Sequence, residues 1–118
     1  MSADNPTLRI TKGADEVVMV NVFDVLPERQ AELVDALSKA TLEIFMDMPG
    51  FITASLHASI DGKRVVNYAQ WASKKLYDEA QQRDDVREHI MKAGSYAQKW
   101  DPTYAQVWAI HHGRNSGR

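Results

Sequence analysis

Three observations predict an α+β fold in which two helical regions cover one face of a four-stranded sheet. The chain has 118 residues, 44% of them hydrophobic and 25% charged, which fits one globular domain. Extended apolar segments and helical periodicities follow each other in the order β-α-β-β-α-β. The two central extended segments are separated by Asp61-Gly62, a pair typical of tight turns between strands.

The first strand and the first helix are predicted from apolar patterning. Residues 17–23 are β-branched and apolar on both faces, as in a strand that is covered on both sides. Pro27 suits the first turn of a helix. Apolar residues then recur in steps of three and four over residues 33–48, which predicts an amphipathic helix that Pro49-Gly50 ends.

The second and third strands form the predicted hairpin. Residues 51–60 alternate strictly, so that every second residue, His57 among them, lies on a polar face. Residues 64–72 follow the turn as the third strand. In that strand Asn67 and Trp71 are four residues apart and share a face.

A second helical region and a last strand complete the order. Ser73 can cap a helix whose apolar spacing includes Tyr77, and the polar stretch 81–85 is expected to bend or break it. Asp101-Pro102 is expected to end this region, and alternation predicts the fourth strand over residues 104–112. The domain is therefore expected over residues 15–113, between a flexible N-terminal arm (1–14) and a disordered tail (114–118).

The order of elements gives a ferredoxin-like arrangement, since both crossovers can be right-handed when the helices lie on one face of an antiparallel sheet. The strands nevertheless carry large apolar residues on both faces, such as Val20 against Met19 and Tyr68 against Trp71. A face of this kind is too apolar to meet water. We therefore predict a homodimer that packs sheet on sheet, a dimeric α/β barrel.

Composition excludes several classes of function. The formal net charge of -2 argues against a protein that binds nucleic acid through a basic stripe. The absence of cysteine excludes disulfides, thiolate metal sites and cysteine nucleophiles. The apolar stretches are too short to span a membrane, and the N-terminus lacks the pattern of a signal peptide, so a cytoplasmic protein is expected. No histidine pair has metal-ligand spacing, and no glycine-rich phosphate loop is present, so neither a metal nor a nucleotide cofactor is expected.

Asn21 and Asn67 are polar residues that a sheet core does not need. Asparagine is depleted in strands, and burying its amide without a partner costs about 1–3 kcal/mol. Each could be bonded to a neighbour or to a buried water. Together with Trp71 they could instead face one cavity under the helices, as a small-molecule site suited to a developing oxyanion.

Other polar and aromatic candidates leave alternatives open. Tyr77 is either a core residue or a phenol that donates into the cavity. His57 lies on the polar face of its strand, which either lines the cavity or does not. Arg87 and His89 are two residues apart on a helix, so only one of them would face inward; either both are solvated or one of them is a cation of the cavity.

A resemblance to a known family rests on three segments of the chain. They are Pro49-Gly50-Phe51, His57-Ala58-Ser59 and Val65-Val66-Asn67-Tyr68-Ala69-Gln70-Trp71, at matching intervals. With these segments the chain, from about residue 17 to 112, resembles the antibiotic biosynthesis monooxygenase family, and within it the small anthrone oxygenases of aromatic polyketide pathways. The resemblance implies a dimeric ferredoxin-like enzyme that uses O2 as co-substrate, without metal, flavin or haem, to convert an anthrone to a quinone.

The resemblance also implies roles for particular residues. The family's strand asparagines and tryptophan match Asn21, Asn67 and Trp71, and a tyrosine six residues after the tryptophan, the proton donor, matches Tyr77. A helix arginine of the family has Arg87 as its nearest counterpart. The residues expected to contact the aromatic substrate are Phe23, Phe51, His57 and Arg87.

Two other functions stay open at this point. Haem-degrading members of the same superfamily ligate iron through a histidine about ten residues after the tryptophan, and Gln81 occupies that position here, which disfavours haem. A dimeric protein that binds a small molecule without catalysis would use the same fold and the same cavity.

Overall fold

In the computed structural model, which describes residues 6–12 and 15–115, the strands form one antiparallel sheet with the spatial order β2-β3-β1-β4. The strands are β1 (Val17–Asp24), β2 (Phe51–Ala58), β3 (Arg64–Trp71) and β4 (Lys99–Ala105). The helices α1 (Gln30–Ala40), α2 (Lys74–Ala80) and α3 (Asp84–Gly94) pack on one face of it. This order confirms the predicted α+β, ferredoxin-like fold. The predicted arm and tail lie partly outside the described residues.

The first helical region is longer than α1 alone. It begins with a 3-10 turn at Pro27–Arg29 and ends in a π-helical turn at Thr41–Phe45. The Met46 amide donates to the Thr41 carbonyl at 3.0 Å, and the Thr41 hydroxyl donates to the Leu37 carbonyl at 2.9 Å. Wide turns of this kind are common at functional sites. This one brings Phe45 against the aromatic residues of the sheet.

The second helical region is broken as predicted. The Ser73 hydroxyl accepts a hydrogen bond from the Leu76 amide at 3.2 Å, the geometry of an N-cap. Helix α2 ends at Ala80, and α3 begins at Asp84 after a short turn. Within the described residues no helix is long and apolar enough to cross a membrane.

The predicted position of the fourth strand is wrong. Strand β4 spans Lys99–Ala105 and therefore contains the Asp101-Pro102 pair that was expected to end the preceding region. Because β4 is an edge strand paired only with β1, it tolerates a proline that a central strand would not. Residues 106–113 belong to no strand and are mostly exposed.

The apolar core consists of two clusters on the helix-covered face. One surrounds Met19, Trp71 and Val86, and the other surrounds Phe23, Leu33 and Val65. In the register of β1 and β3, Met19 pairs with Ala69 and Phe23 pairs with Val65. Between these two apolar pairs lies the pair formed by Asn21 and Asn67, which separates the clusters.

Replacement by alanine should destabilise the protein more at Gly50, in the Pro49-Gly50 turn, than at Gly62. Gly50 and Gly62 have φ angles of 86° and 82°, so alanine is strained at both. A Cβ atom on Gly50 would lie 2.7 Å from the Leu76 side chain, whereas on Gly62 its nearest neighbour would be Pro27 at 3.5 Å. Gly62→Ala should cost about 1–2 kcal/mol of unfolding free energy from the backbone alone. Gly50→Ala should cost about 1–3 kcal/mol more, from overpacking.

Urea unfolding of the two variants measures this difference directly. Gly62→Ala is the matched control, since it carries the backbone strain without the clash. Equal losses of stability in the two variants would show that Leu76 moves aside freely. That result would contradict the close packing of α2 against the Pro49-Gly50 turn.

Candidate functional site

A cavity of about 220 Å³ lies between the sheet and the helices. Its floor is formed by the helix-covered face of β1 and β3, where Asn21 and Asn67 lie. Trp100 and Tyr104 of the edge strand β4 border it and are about half exposed, so they mark its solvent side. The cavity therefore occupies the gap between the two core clusters.

Asn21 and Asn67 lie directly opposite each other in the antiparallel register. Their Cβ atoms are therefore about 4.5–5.5 Å apart. The Oδ1 atoms of both side chains are buried, and neither has a hydrogen-bond partner within the described part of the chain. A buried acceptor in that state costs about 1–3 kcal/mol. Two such acceptors side by side in one cavity are what a polar ligand would satisfy.

Aromatic side chains form one wall of the cavity. Trp71, only 2% exposed, makes edge-to-face contacts with Phe51 and Tyr77, with ring centroids 5.4 Å apart in each case. Phe45 meets Trp71 at 90°, and Tyr77 meets Tyr104 with centroids 5.1 Å apart. Such contacts hold rings in defined orientations. The wall is therefore apolar and flat-sided, which suits an aromatic ligand.

Tyr77 combines this wall with a hydroxyl group. Its oxygen lies 3.2 Å from the hydroxyl oxygen of Tyr104, within hydrogen-bond distance. Burial, followed by this hydrogen bond, raises the pKa of Tyr77 far above its ordinary value. The phenol is therefore protonated at every physiological pH, so it can donate a proton but cannot serve as a resting base. Tyr77 packs in the core and also lines the cavity, so both interpretations of this residue stay open.

A bulge in β2 decides which side chains of that strand face the cavity. Phe51 pairs with Trp71 and Thr53 with Gln70, so Ile52 is an extra residue in the register. The bulge puts Phe51 on the face of the cavity, whereas the regular alternation after it places His57 on the opposite face. The imidazole of His57 is exposed and lies 2.8 Å from the Ser55 hydroxyl. His57, expected to contact the substrate, therefore does not line this cavity.

The orientation of α3 settles which of its two candidates faces inward. The Arg87 guanidinium is exposed, and it donates to the Gln81 carbonyl and the Gln82 side chain at 3.3 and 3.2 Å. His89 lines the cavity instead, with its ring 5.9 Å from that of Phe45. Arg87, expected to contact the substrate, therefore does not line the cavity, because the two residues lie on different sides of the helix.

Sequence reasoning placed Asn21, Phe23, Phe51, Asn67, Trp71 and Tyr77 at one site, and the structure brings all of these to the cavity. It missed Trp100, Pro102 and Tyr104, which reach the cavity from β4. Their spacing of two residues was the available signal, hidden by the interpretation of Asp101-Pro102 as a break. Gln81, at the end of α2, also lines the cavity.

The cavity is uncharged. No aspartate, glutamate, lysine or arginine among the described residues lines it, and His89 is the only imidazole in its lining. Burial, with a smaller contribution from the nearby Lys92 ammonium, lowers the pKa of His89. His89 is therefore neutral near pH 7 and free to accept a proton. Over residues 6–12 and 15–115, no three His, Asp or Glu side chains cluster in a way that could hold a metal ion.

Comparison of the sequence with known proteins finds a matching family and a related monooxygenase. Residues 16–92 match the antibiotic biosynthesis monooxygenase family. Over 65 residues the chain is 49% identical to tetracenomycin-F1 monooxygenase of Streptomyces glaucescens, an alignment that spans 55% of this chain and 58% of that protein. The chain thus matches little more than half the length of that relative.

Solved structures show the same fold. A monooxygenase from the gene ActVA-Orf6 of Streptomyces coelicolor, in complex with the ligand nanaomycin D, is 28% identical with a TM-score of 0.73, covering 82% of this chain and 91% of that one. SnoaB, a cofactor-independent oxygenase from Streptomyces nogalater, is 23% identical with a TM-score of 0.71, covering 82% and 97%.

The buried imidazole of His89 predicts a pH dependence of stability. Because burial in the folded state lowers the pKa of His89 below its ordinary value of about 6.5, the unfolded chain binds the proton more tightly. Unfolding free energy should therefore fall as the pH decreases below about 6.5. His89→Gln should remove this part of the slope, as measured by urea unfolding between pH 8 and 5. The matched control is His57→Gln, which removes an exposed imidazole from the other face of the sheet. If His89→Gln kept the whole wild-type slope of unfolding free energy against pH, the His89 imidazole would be exposed to solvent in the folded protein.

Proposed function

This chain belongs to the antibiotic biosynthesis monooxygenase family, and we propose that it oxidises a polycyclic aromatic polyketide with O2 in the cavity under its helices. The observation that carries the proposal is the pair of buried amide oxygens, Asn21 Oδ1 and Asn67 Oδ1, without partners in an uncharged cavity walled by aromatic rings. The names of the relatives support it, since they are monooxygenases, and one of them binds nanaomycin D.

The substrate class is a hydroxylated anthrone. A flat ring system fits the aromatic wall, and phenolic hydroxyls can donate to the two free amide oxygens while the amide N–H groups donate to a carbonyl or phenolate. The volume of about 220 Å³ is below the usual range of about 300–1,000 Å³ for pockets of drug-sized ligands. The reacting ring therefore lies inside, and further rings extend past Trp100 and Tyr104 towards solvent.

The reaction needs little from the protein beyond binding and proton transfer. Loss of one proton from the methylene carbon gives a delocalised anion, which passes one electron to O2 and so avoids the spin barrier of a direct reaction. The radical pair forms a carbon–oxygen bond, and the peroxide takes a proton. Loss of the second carbon-bound proton with cleavage of the O–O bond then gives the quinone carbonyl and water.

The side chains of the cavity have distinct roles in this sequence. Asn67 and Trp71 hold the phenolate or peroxide oxygen by hydrogen bonds, and Asn21 orients the ring carbonyl. Tyr77 donates the proton to the peroxide, in keeping with its permanently protonated phenol. His89 accepts the first carbon-bound proton, because it is the neutral imidazole in the cavity lining. Phe23 and Phe51 contact the ring system.

O2 is the only co-substrate in this proposal, and no metal, flavin or haem takes part. The substrate anion supplies the electron that a cofactor would otherwise provide. SnoaB, which shares the fold, is a cofactor-independent oxygenase. Haem-degrading members of the superfamily have their iron-ligating histidine at the position that Gln81 occupies here, which argues against that alternative. Measurement of oxygen uptake distinguishes the proposed enzyme from a binding protein without catalysis.

A homodimer through the outer, helix-free face of the sheet is part of the proposal. Val20, Val22, Val66 and Tyr68 lie on that face and are only partly buried within one chain. Trp108 and Ile110, in the segment that follows β4, are 89% and 41% exposed. A second copy of the chain placed against this face would remove both groups of apolar side chains from water.

Asn67→Leu tests the role of the amide with an apolar residue of similar shape. Removing an oxyanion donor should lower kcat for oxygen uptake with an anthrone such as dithranol by about 10²–10³-fold. The same substitution should leave the unfolding free energy unchanged or raise it, because it removes a buried acceptor without a partner. Oxygen electrode rates and urea unfolding, without added flavin, metal or NADH, measure the two effects.

Thr53→Val is the matched control and should give the opposite pattern. The Thr53 hydroxyl donates to the buried Gln70 side chain at 2.9 Å on the outer face. Its loss should cost about 0.5–1.5 kcal/mol of stability and leave the rate unchanged. Full activity of Asn67→Leu would remove the amide from the mechanism. A wild-type protein that leaves the spontaneous rate of anthrone oxidation unchanged would refute the proposed activity.

The dimer has its own test. Val20→Glu places a charge at the centre of the proposed interface, so light scattering should show a monomer where the wild type gives twice the chain mass. Leu42→Glu is the control, because Leu42 is 66% exposed on the helical side and far from the outer face. A wild-type monomer at micromolar concentration would contradict the proposed interface.

A further inference from the structure

The proposed reaction sets a requirement that Tyr77 alone cannot meet. In each turnover the peroxide anion takes one proton from Tyr77, whereas the hydroxide released on O–O cleavage leaves as water with the second carbon-bound proton. Once Tyr77 has donated, it is a phenolate in a cavity whose described lining contains no lysine or arginine to pair with it. A buried charge without a partner is costly, so Tyr77 must regain a proton quickly. The path for that proton is therefore part of the site.

Tyr104 has the position that such a path requires. Its hydroxyl oxygen lies 3.2 Å from that of Tyr77, and the two rings are in contact with centroids 5.1 Å apart. Tyr77 is 8% exposed, whereas Tyr104 is 45% exposed. The pair therefore connects the interior of the cavity with solvent through one hydrogen bond.

Two fixed neighbours hold this pair in place. Tyr77 packs edge-to-face on Trp71, and Tyr104 lies on β4 in the pair with Met19. On the solvent side of the tyrosine pair, the Lys74 ammonium lies 5.9 Å from the centroid of the Tyr104 ring. The same ammonium donates to Asp78 at 2.8 Å. A cation at this distance favours a transient negative charge on the Tyr104 phenol.

We propose that Tyr104 is a proton-relay residue that acts through Tyr77, an inference that rests on the proposed function. The Tyr77 hydroxyl gives its proton to the peroxide oxygen, the Tyr104 hydroxyl gives its proton to Tyr77, and water gives a proton to Tyr104. One proton enters from solvent for the proton that Tyr77 delivers, and the proton that His89 took from the carbon leaves to solvent, so the two phenols and the imidazole end the cycle as they began it. Tyr104 touches no reacting atom in this scheme.

The test compares Tyr104→Phe with wild type in oxygen uptake with dithranol. The ring and its contacts stay, and the hydroxyl is lost. We expect kcat to fall about 10-fold at unchanged KM, because water must then pass its proton to Tyr77 without the Tyr104 hydroxyl. This loss is smaller than the about 10²–10⁴-fold contribution of a direct acid. The double variant Tyr77→Phe/Tyr104→Phe should be no slower than Tyr77→Phe alone, since the relay has no function without its acceptor.

A second readout separates a relay from a residue that merely orients Tyr77. Tyr104→Ala opens a gap at the solvent side, and added imidazole should restore part of its rate by carrying protons to Tyr77. Imidazole should not restore Tyr77→Phe. Tyr96→Phe is the matched control for loss of a tyrosine hydroxyl, since Tyr96 packs under the Arg29 guanidinium outside the cavity; it should keep the wild-type rate.

The outcomes distinguish the two proposals. An active wild type with a fully active Tyr104→Phe variant overturns the relay and leaves the proposed function standing. A slow Tyr104→Ala variant that does not respond to imidazole also overturns the relay, in favour of a structural role. A wild type without activity on the anthrone overturns both.

Discussion

The site depends on one constraint, which is that the central pair of residues on the helix-covered face of the sheet is two asparagines. The neighbouring pairs, Met19 with Ala69 and Phe23 with Val65, are apolar and each belongs to its own core cluster. Apolar residues at positions 21 and 67 would let the helices close over one continuous core. The two amides prevent this, and their unpartnered oxygens cost about 2–6 kcal/mol together. That is a large part of the about 5–15 kcal/mol that stabilises a domain, so a ligand that satisfies both amides should also stabilise the fold.

The aromatic wall gives this gap a fixed shape. Its edge-to-face contacts join the π-helical turn, β2, β3, α2 and β4 through Phe45, Phe51, Trp71, Tyr77 and Tyr104. Each ring is oriented by the next, so the wall is held by several elements and does not rely on a single loop. A planar ring system gains from a surface of this kind, because little side-chain freedom is lost when it binds.

Much of this arrangement follows from local patterns in the sequence. The hairpin at Asp61-Gly62, the cap at Ser73 and the shared face of Asn67 and Trp71 depend on residues that are close along the chain, where periodicity is reliable. The bulge at Ile52 is different, because it depends on how β2 pairs with β3, and it brings Phe51 onto the face of the cavity, opposite to His57. The orientation of α3 and the position of β4 depend likewise on tertiary packing. Pro102 was informative only once the strand was known to be at the edge of the sheet.

The uncharged lining of the cavity fits the electron transfer that the proposed reaction requires. A fixed cation beside the substrate anion would favour its formation, but it would also make that anion a poorer donor of an electron to O2. Amide and indole N–H groups stabilise negative charge more weakly than a salt bridge does. These N–H groups can donate both to the negatively charged ring oxygen and to the peroxide oxygen on which the charge later develops. The outward position of Arg87, and of Lys74 beyond the tyrosine pair, keeps permanently charged side chains away from the reacting ring, and His89 is charged only while it holds the proton from the carbon. On this argument the site works by holding a reactive anion without overstabilising it, and the charges that remain act only at its edge, where protons enter from solvent.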